Sequence, residues 1–141
     1  MSCKFCEIAA GRLAAEIVFE NAEALAFLDI RPLFPGHMLL IPKAHYETLA
    51  DLPQAFVSPV FESARMLAKA TETGLGAEGS FVAVNNRVSQ SVPHLHVHIV
   101  PRRKKDGLRG FFWPRQTYSE GEMATVADRL RVAVQALRAK P

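Results

Sequence analysis

Residues 94–100 read His-Leu-His-Val-His-Ile-Val, three histidines alternating with large apolar side chains. A strand sends successive side chains to opposite faces, whereas a helix spreads them over a 3.6-residue turn. A strict two-residue period is therefore a strand pattern that a helix cannot use. On a strand, Leu95, Val97 and Ile99 enter a core and His94, His96 and His98 line one open face. Same-face neighbours on a strand lie roughly 7 Å apart. The bland alternative is a set of solvated histidines on an exposed sheet. A row of imidazoles near their titration point is, however, a chemical site before it is a structural one.

The rest of the chain supplies a sheet for this strand. Strands are expected over residues 16–19, 24–28, 37–41, 81–84 and 94–100, with a turn at 20–23 closing a hairpin between the first two. Arg31-Pro32 and Phe34-Pro35-Gly36 break the chain before the third strand. Residues 54–73 carry Val60, Ala64 and Leu67 at helical spacing, with Gly74 as a stop and Ser58 as a cap for a fresh start at Pro59. Near the C-terminus, Ser119 to Glu122 forms a capping-box pattern. It precedes an apolar stripe of Met123, Val126, Leu130, Val134 and Leu137, expected to pack in the core or across a dimer. Strands flank one central helix with little helix–strand alternation. This predicts an α+β domain with an antiparallel five-stranded sheet, a central helix and a C-terminal helix.

Bulk properties narrow the function. The 141 residues suit a single domain, and a charged fraction of 22% is ordinary for a globular chain. No apolar run approaches the ~18 residues of a membrane span. The N-terminus, Met-Ser-Cys-Lys-Phe-Cys-Glu, carries no secretory pattern, which sets a cytoplasmic expectation with reduced cysteines unless they hold a metal. A net charge of +3 suits an anionic small molecule and does not call for nucleic acid. Gly-x-Gly-x-x-Gly, Walker and Gly-x-Ser-x-Gly sequences are absent.

Two chemistries fit the imidazole row. His-x-His pairs on strands ligate zinc, iron or copper. Alternatively, a neutral imidazole attacks phosphorus and forms a phosphoramidate, splitting one displacement into two. The second needs an unprotonated nitrogen on the nucleophile and a fixed acceptor for the other. Cys3-x-x-Cys6 has three readings: a redox pair, which expects a βαβ pattern; idle thiols; or half of a structural zinc site, which needs two more ligands.

The segment 94–100 also matches His-φ-His-φ-His-φ-φ, φ being apolar, the signature of the histidine triad (HIT) family. The resemblance extends to Cys3-Lys-Phe-Cys6-Glu-Ile8, Ala10-Gly11, Val18-Phe19-Glu20, Ala26-Phe-Leu-Asp-Ile30, Pro35-Gly-His-Met-Leu-Leu-Ile-Pro-Lys43, His45, Gln90-Ser91 and Pro101-Arg102. It covers about residues 3–102 and leaves 103–141 as a C-terminal extension of a single domain. It implies an enzyme that cleaves a purine nucleoside monophosphate from a phosphoramidate, a dinucleoside polyphosphate or a similar leaving group. It also implies a role for each site residue. His96 is the nucleophile, His98 binds the α-phosphate and His37 supports the triad from behind. Ser91 and Gln90 contact phosphate or leaving group, Asp29 accepts the ribose hydroxyls and Asn85 sits near the phosphate. Phe5, Ile8, Phe27 and Ile30 wall the base. Zinc-bearing bacterial relatives imply a structural Zn2+ held by Cys3, Cys6, His45 and His94. Family habit implies a homodimer, with residues 54–73 and 111–113 as candidate contacts.

One segment departs from the family. Many members carry a glycine-rich loop before the Gln; here the link is Asn86-Arg87-Val88-Ser89, shorter and without Gly. The basic run 102–105 is either a solvated loop or a screen for an acidic leaving group. Two rivals stand beside the nucleotidyl hydrolase. One is a nucleotide-binding interaction protein with incidental hydrolysis. The other is a hydrolase with iron or zinc on the three triad histidines.

Overall fold

A computed structural model describes residues 2–109 and 114–139, so the expectation for 111–113 lies outside the described residues. The chain divides into one compact unit through Asp106 and a second from Gly107. The first runs α1 (Lys4–Ala9), β1 (Ile17–Glu20), β2 (Ala24–Leu28), β3 (Met38–Pro42), a 3-10 turn (Leu49–Asp51), α2 (Gln54–Leu75), β4 (Gly79–Val84) and β5 (Val97–Arg102). The strands form one antiparallel sheet in the order β1-β2-β3-β5-β4.

The central strands read Ala-Leu-Ala-Phe-Leu and Met-Leu-Leu-Ile-Pro because both of their faces are covered. One face carries Ala26, Leu40, Val97 and Ile99 against Val60, Ala64 and Leu67 of α2. The other carries Leu25, Phe27, Leu39 and Ile41 against Phe5 and Ile8 of α1. Leu95, Val97 and Ile99 are fully buried, as the alternation requires. At the hairpin, Asn21 Oδ1 accepts the Glu23 and Ala24 amides at 3.0 and 2.8 Å, an Asx turn between β1 and β2.

Several boundaries differ from expectation, each for a local reason. β5 begins at Val97, not His94, because the Leu95 amide is taken by Tyr46 O at 2.6 Å and the His94 amide by Val92 O at 2.8 Å. β3 begins at Met38 because the His37 amide closes a turn onto Phe34 O at 3.0 Å. α2 is one uninterrupted helix with Pro53 as its N-cap, so Ser58 caps nothing and Pro59 lies inside it. The helix passes Gly74 and stops at Gly76, whose φ of 67° is the left-handed cap that glycine provides without strain.

The second unit contains α3 (Glu122–Arg138). Glu122 Oε1 accepts the Ser119 amide at 2.9 Å, so half of the expected capping box forms, although Gly121 occupies the N-cap. The apolar stripe is not core: Met123, Leu130, Val134 and Leu137 are all more than half exposed. Among the described residues no helix is long and apolar enough to cross a membrane.

Candidate active site and metal centre

Alternation on β5 and its extended approach places His96 and His98 on the α1 face of the sheet, opposite α2. His98 pairs with Leu39 across the β3–β5 ladder. His37 enters just before β3, its carbonyl accepting the Asp29 amide at 2.9 Å. The row is not the open face expected from the sequence. His94 and His96 are buried, and the Phe5 ring of α1 stands edge-on to His96 with centroids 5.1 Å apart. His98 is half-buried.

Hydrogen bonds fix the tautomer of each ring. His96 Nδ1–H donates to the carbonyl of His94 at 2.7 Å. A neutral imidazole carries one proton, so Nε2 of His96 keeps its lone pair. The Leu33 amide donates to His37 Nδ1 at 3.1 Å, which puts the His37 proton on Nε2. That proton is donated to His98 Nδ1 at 3.0 Å, leaving the His98 proton on Nε2. Burial lowers the pKa of both: His37 falls below its ordinary value despite Asp29, and His98 falls to about 4, pushed further by His96 and His37. Both rings are therefore neutral near pH 7 and present a directed N–H without a positive charge.

The same protons bear on metal binding at this end. Asp29, His37 and His98 gather their donor atoms within 4.8 Å, a geometry that could suit a cation. A ligating histidine donates its second N–H outward. His37 instead receives a main-chain N–H at Nδ1, and its Nε2 carries a proton toward His98. This pair is a hydrogen-bond relay, and His37 keeps no free nitrogen for a cation beside Asp29 and His98.

At the other end the pattern reverses. His94 Nε2–H donates to Pro42 O at 2.8 Å, freeing Nδ1 as a ligand. Nδ1 stands 3.5 Å from both Cys3 Sγ and Cys6 Sγ, and His45 Nδ1 is 3.3 Å from Cys6 Sγ. Tetrahedral zinc, with sulfur at ~2.3 Å and nitrogen at ~2.0 Å, sets such neighbours about 3.6 Å apart. The donor set fits zinc, and Pro42 O supplies the outer hydrogen bond that such a histidine needs. Burial first, then Cys3, raises the Cys6 thiol above its ordinary value. A cation would reverse that crowding by holding both sulfurs as thiolates.

The expected nucleotide residues are distributed unevenly. Phe5, Ile8 and Phe27 are buried in the layer between α1 and the sheet, where Phe5 meets Phe27 edge-on at 5.3 Å. Ile30, by contrast, is 94% exposed. Asp29 is half-buried; Oδ1 accepts the Arg31 amide at 2.8 Å and Oδ2 lies 3.8 Å from His37 Nε2, beyond hydrogen-bond range. Asn85 and Ser91 are exposed. Gln90 is occupied by main chain: Oε1 accepts the Arg87 amide at 2.7 Å and Nε2 donates to Glu47 O at 2.6 Å. Arg87 and Ser89 adopt φ of 68° and 60°, the left-handed conformation that glycine would take in a glycine-rich loop. The basic run serves the fold. Arg102 binds Asp106 through two nitrogens at 2.6 and 3.0 Å, and Arg103 donates to Leu75 O, the last carbonyl of α2, and to Gly76 O of its cap.

Sequence reasoning missed Asn86, whose Oδ1 accepts the Leu49 amide at 2.8 Å. It also missed the Leu33 amide and the Pro42 carbonyl. Main-chain partners leave no mark in residue identity.

Comparison with known proteins agrees with this fold. A family model for the HIT domain matches residues 10–105. The adenosine 5'-monophosphoramidase of Schizosaccharomyces pombe is 33% identical over 132 residues, covering 92% of this chain and 96% of that one. A crystal structure of a HIT family member from Bacillus subtilis superposes with a TM-score of 0.83 at 32% identity, over 93% of this chain and 96% of that one. A Zn-bound histidine triad family protein from Mycobacterium smegmatis gives a TM-score of 0.73 at 36% identity, over 94% and 98% of the two chains. With its triad, its five-stranded antiparallel sheet and a family match over most of its length, this chain belongs to the HIT domain family.

Proposed function

We propose that the chain is a nucleotidyl hydrolase or transferase that takes the nucleoside monophosphate group, AMP in the first instance, onto His96. The carrying observation is the His96 tautomer: Nδ1–H is committed to the His94 carbonyl at 2.7 Å, and Nε2 is left as the nucleophile. Nε2 attacks the α-phosphorus, the bond to the leaving group breaks with its electron pair, and water then releases the nucleotide from nitrogen. His98 donates Nε2–H to a phosphoryl oxygen, where a neutral donor in a partly buried site stabilises developing charge. His37 holds that proton in place. Asp29 would accept ribose hydroxyls through Oδ2, and Ser91 would meet the leaving group. A phosphoramidate is the substrate class favoured by the name of the fission-yeast relative.

The metal reading is a structural Zn2+ on Cys3, Cys6, His45 and His94, supported by the donor geometry and the zinc-bound relative. Bound there, the ion would cross-link the N-terminus to the approach of β5 and polarise His94. We read the working form as a cytoplasmic homodimer, with exposed Val57, Phe61 and Met66 of α2 as contacts.

Single-turnover reaction with an adenosine phosphoramidate labelled at phosphorus, quenched in alkali, tests the reading. Wild-type protein should carry label and His96→Ala should not, with turnover down more than about a thousandfold. Near-normal turnover in His96→Ala removes the nucleophile. An alkali-stable adduct in that variant does the same.

A further inference from the structure

Two loops form the rim beside the triad. Residues 45–51 start at the metal ligand His45 and end in the Leu49–Asp51 turn. Residues 85–91 leave β4 and end at Ser91. Hydrogen bonds stitch them together. Asn86 Oδ1 accepts the Leu49 amide at 2.8 Å, and Gln90 Nε2 donates to Glu47 O at 2.6 Å. Just beyond Ser91, the Leu95 amide donates to Tyr46 O at 2.6 Å. Arg87 and Glu47 lie 3.8 Å apart.

The first loop is held by bonds of its own. Thr48 is buried in a capping box with Asp51, and the Tyr46 ring packs on Phe56 with centroids 5.9 Å apart. The second loop is short and strained: Arg87 and Ser89 are left-handed without being glycine. Such a conformation persists only where neighbours over-determine it. Here the neighbours are Gln90, which holds the Arg87 amide at 2.7 Å, and Asn86. We propose that Asn86 and Gln90 are positioning residues that couple the Cys3/Cys6/His45/His94 centre to the Ser91 loop, so that metal held at His45 sets the leaving-group side of the active site.

The inference rests on the zinc reading above and extends it. The nucleotide side, with Asp29, His37 and His98, is built on β2, β3 and β5 and does not use these bonds. Loss of the latch should therefore be felt in the step that expels the leaving group, and AMP affinity should stay.

The test uses the whole zinc-loaded chain. Amide hydrogen exchange is read at Leu49 and Arg87, before and after chelation and in Asn86→Ala, Asn86→Asp and Gln90→Glu. Chelation should speed exchange at both amides about tenfold, with the strand Ala24–Leu28 unchanged. Asn86→Ala should do the same without releasing zinc. It should lower kcat for an adenosine phosphoramidate about tenfold, with AMP binding within about twofold. Asn86→Asp keeps the accepting oxygen and should restore protection and turnover. Gln90→Glu, which sets a carboxylate against Glu47 O, should reproduce the alanine effect. Zinc uptake with unchanged exchange on chelation overturns the coupling and leaves the zinc site standing. A protein that takes up no zinc overturns both. An Asn86→Ala protein that loses AMP affinity as much as turnover overturns the assignment to the leaving-group side.

Discussion

The family resemblance makes Phe5 a wall for the base, whereas the structure sets its ring against the nucleophile His96. Its ring is 7% exposed, sits edge-on to Phe27 at 5.3 Å and His96 at 5.1 Å, and belongs to the apolar layer under α1. A buried Phe removes ~150–250 Å² from water, worth about 4–6 kcal/mol at ~25 cal/mol per Å². Measured Phe→Ala losses in cores run about 3–5 kcal/mol. Phe5→Ala should thus cost about 3–5 kcal/mol, roughly a fifth or more of the ~5–15 kcal/mol that holds a domain together. Phe5→Leu refills most of the volume and should cost less than about 1.5 kcal/mol. It also removes the edge contact to His96, worth about 0.5–1.5 kcal/mol, so kcat should fall roughly twofold to tenfold with KM unchanged. Urea unfolding of the zinc-loaded protein gives the first quantity and steady-state kinetics the second. If Phe5→Ala costs less than about 1 kcal/mol and Phe5→Leu raises KM for adenosine substrates, Phe5 faces the ligand and the packing argument fails.

The pKa of His98, about 4 in the fold against an ordinary 6.5, makes the unfolded chain bind more protons between those values. Stability is then fully present above about pH 6.5, falls as pH drops toward 4 and levels off below, and His98→Gln should flatten that slope in urea titrations. Elemental analysis of protein prepared without added metal should find about one zinc per chain, Cys6→Ser should lose it, and chelation should lower the melting temperature. Ser89→Gly relieves a left-handed residue at φ 60° and should change stability by no more than about 1 kcal/mol, measured as a shift in urea midpoint; a loss of several kcal/mol would mean that the serine side chain itself holds the loop.

The alternation at 94–100 and the apolar runs at 24–28 and 37–41 made the sheet legible, because burial on one or both faces writes itself into residue type. The metal quartet came through the family resemblance, since spacing alone offered only Cys3-x-x-Cys6 with redox, idle and zinc readings open. Strand starts were less legible. His94 to His96 leave the ladder because Tyr46 O and Val92 O claim their neighbourhood's amides, and a carbonyl acceptor has no residue signature. Pro59 misled in the other direction: the helix tolerates it, with Ser63 Oγ donating to its carbonyl at 2.8 Å. Gln90 carried a family role in the sequence, but its amide is spent on two main-chain groups that only the folded loop brings near.

The chain of imidazoles behind His98 ends blindly. Its last acceptor is His37 Nδ1, filled by the Leu33 amide, a group that does not give up its proton in water. If His98 surrendered the Nε2 proton and drew a replacement from His37, no group hydrogen-bonded behind His37 could restore the one it lost, since Asp29 Oδ2 stands off at 3.8 Å. The relay can orient and polarise, but it cannot conduct. A departing amine must therefore take its proton from the solvent side, or arrive already carrying it. The rate across a series of phosphoramidates should then follow the basicity of the amine itself.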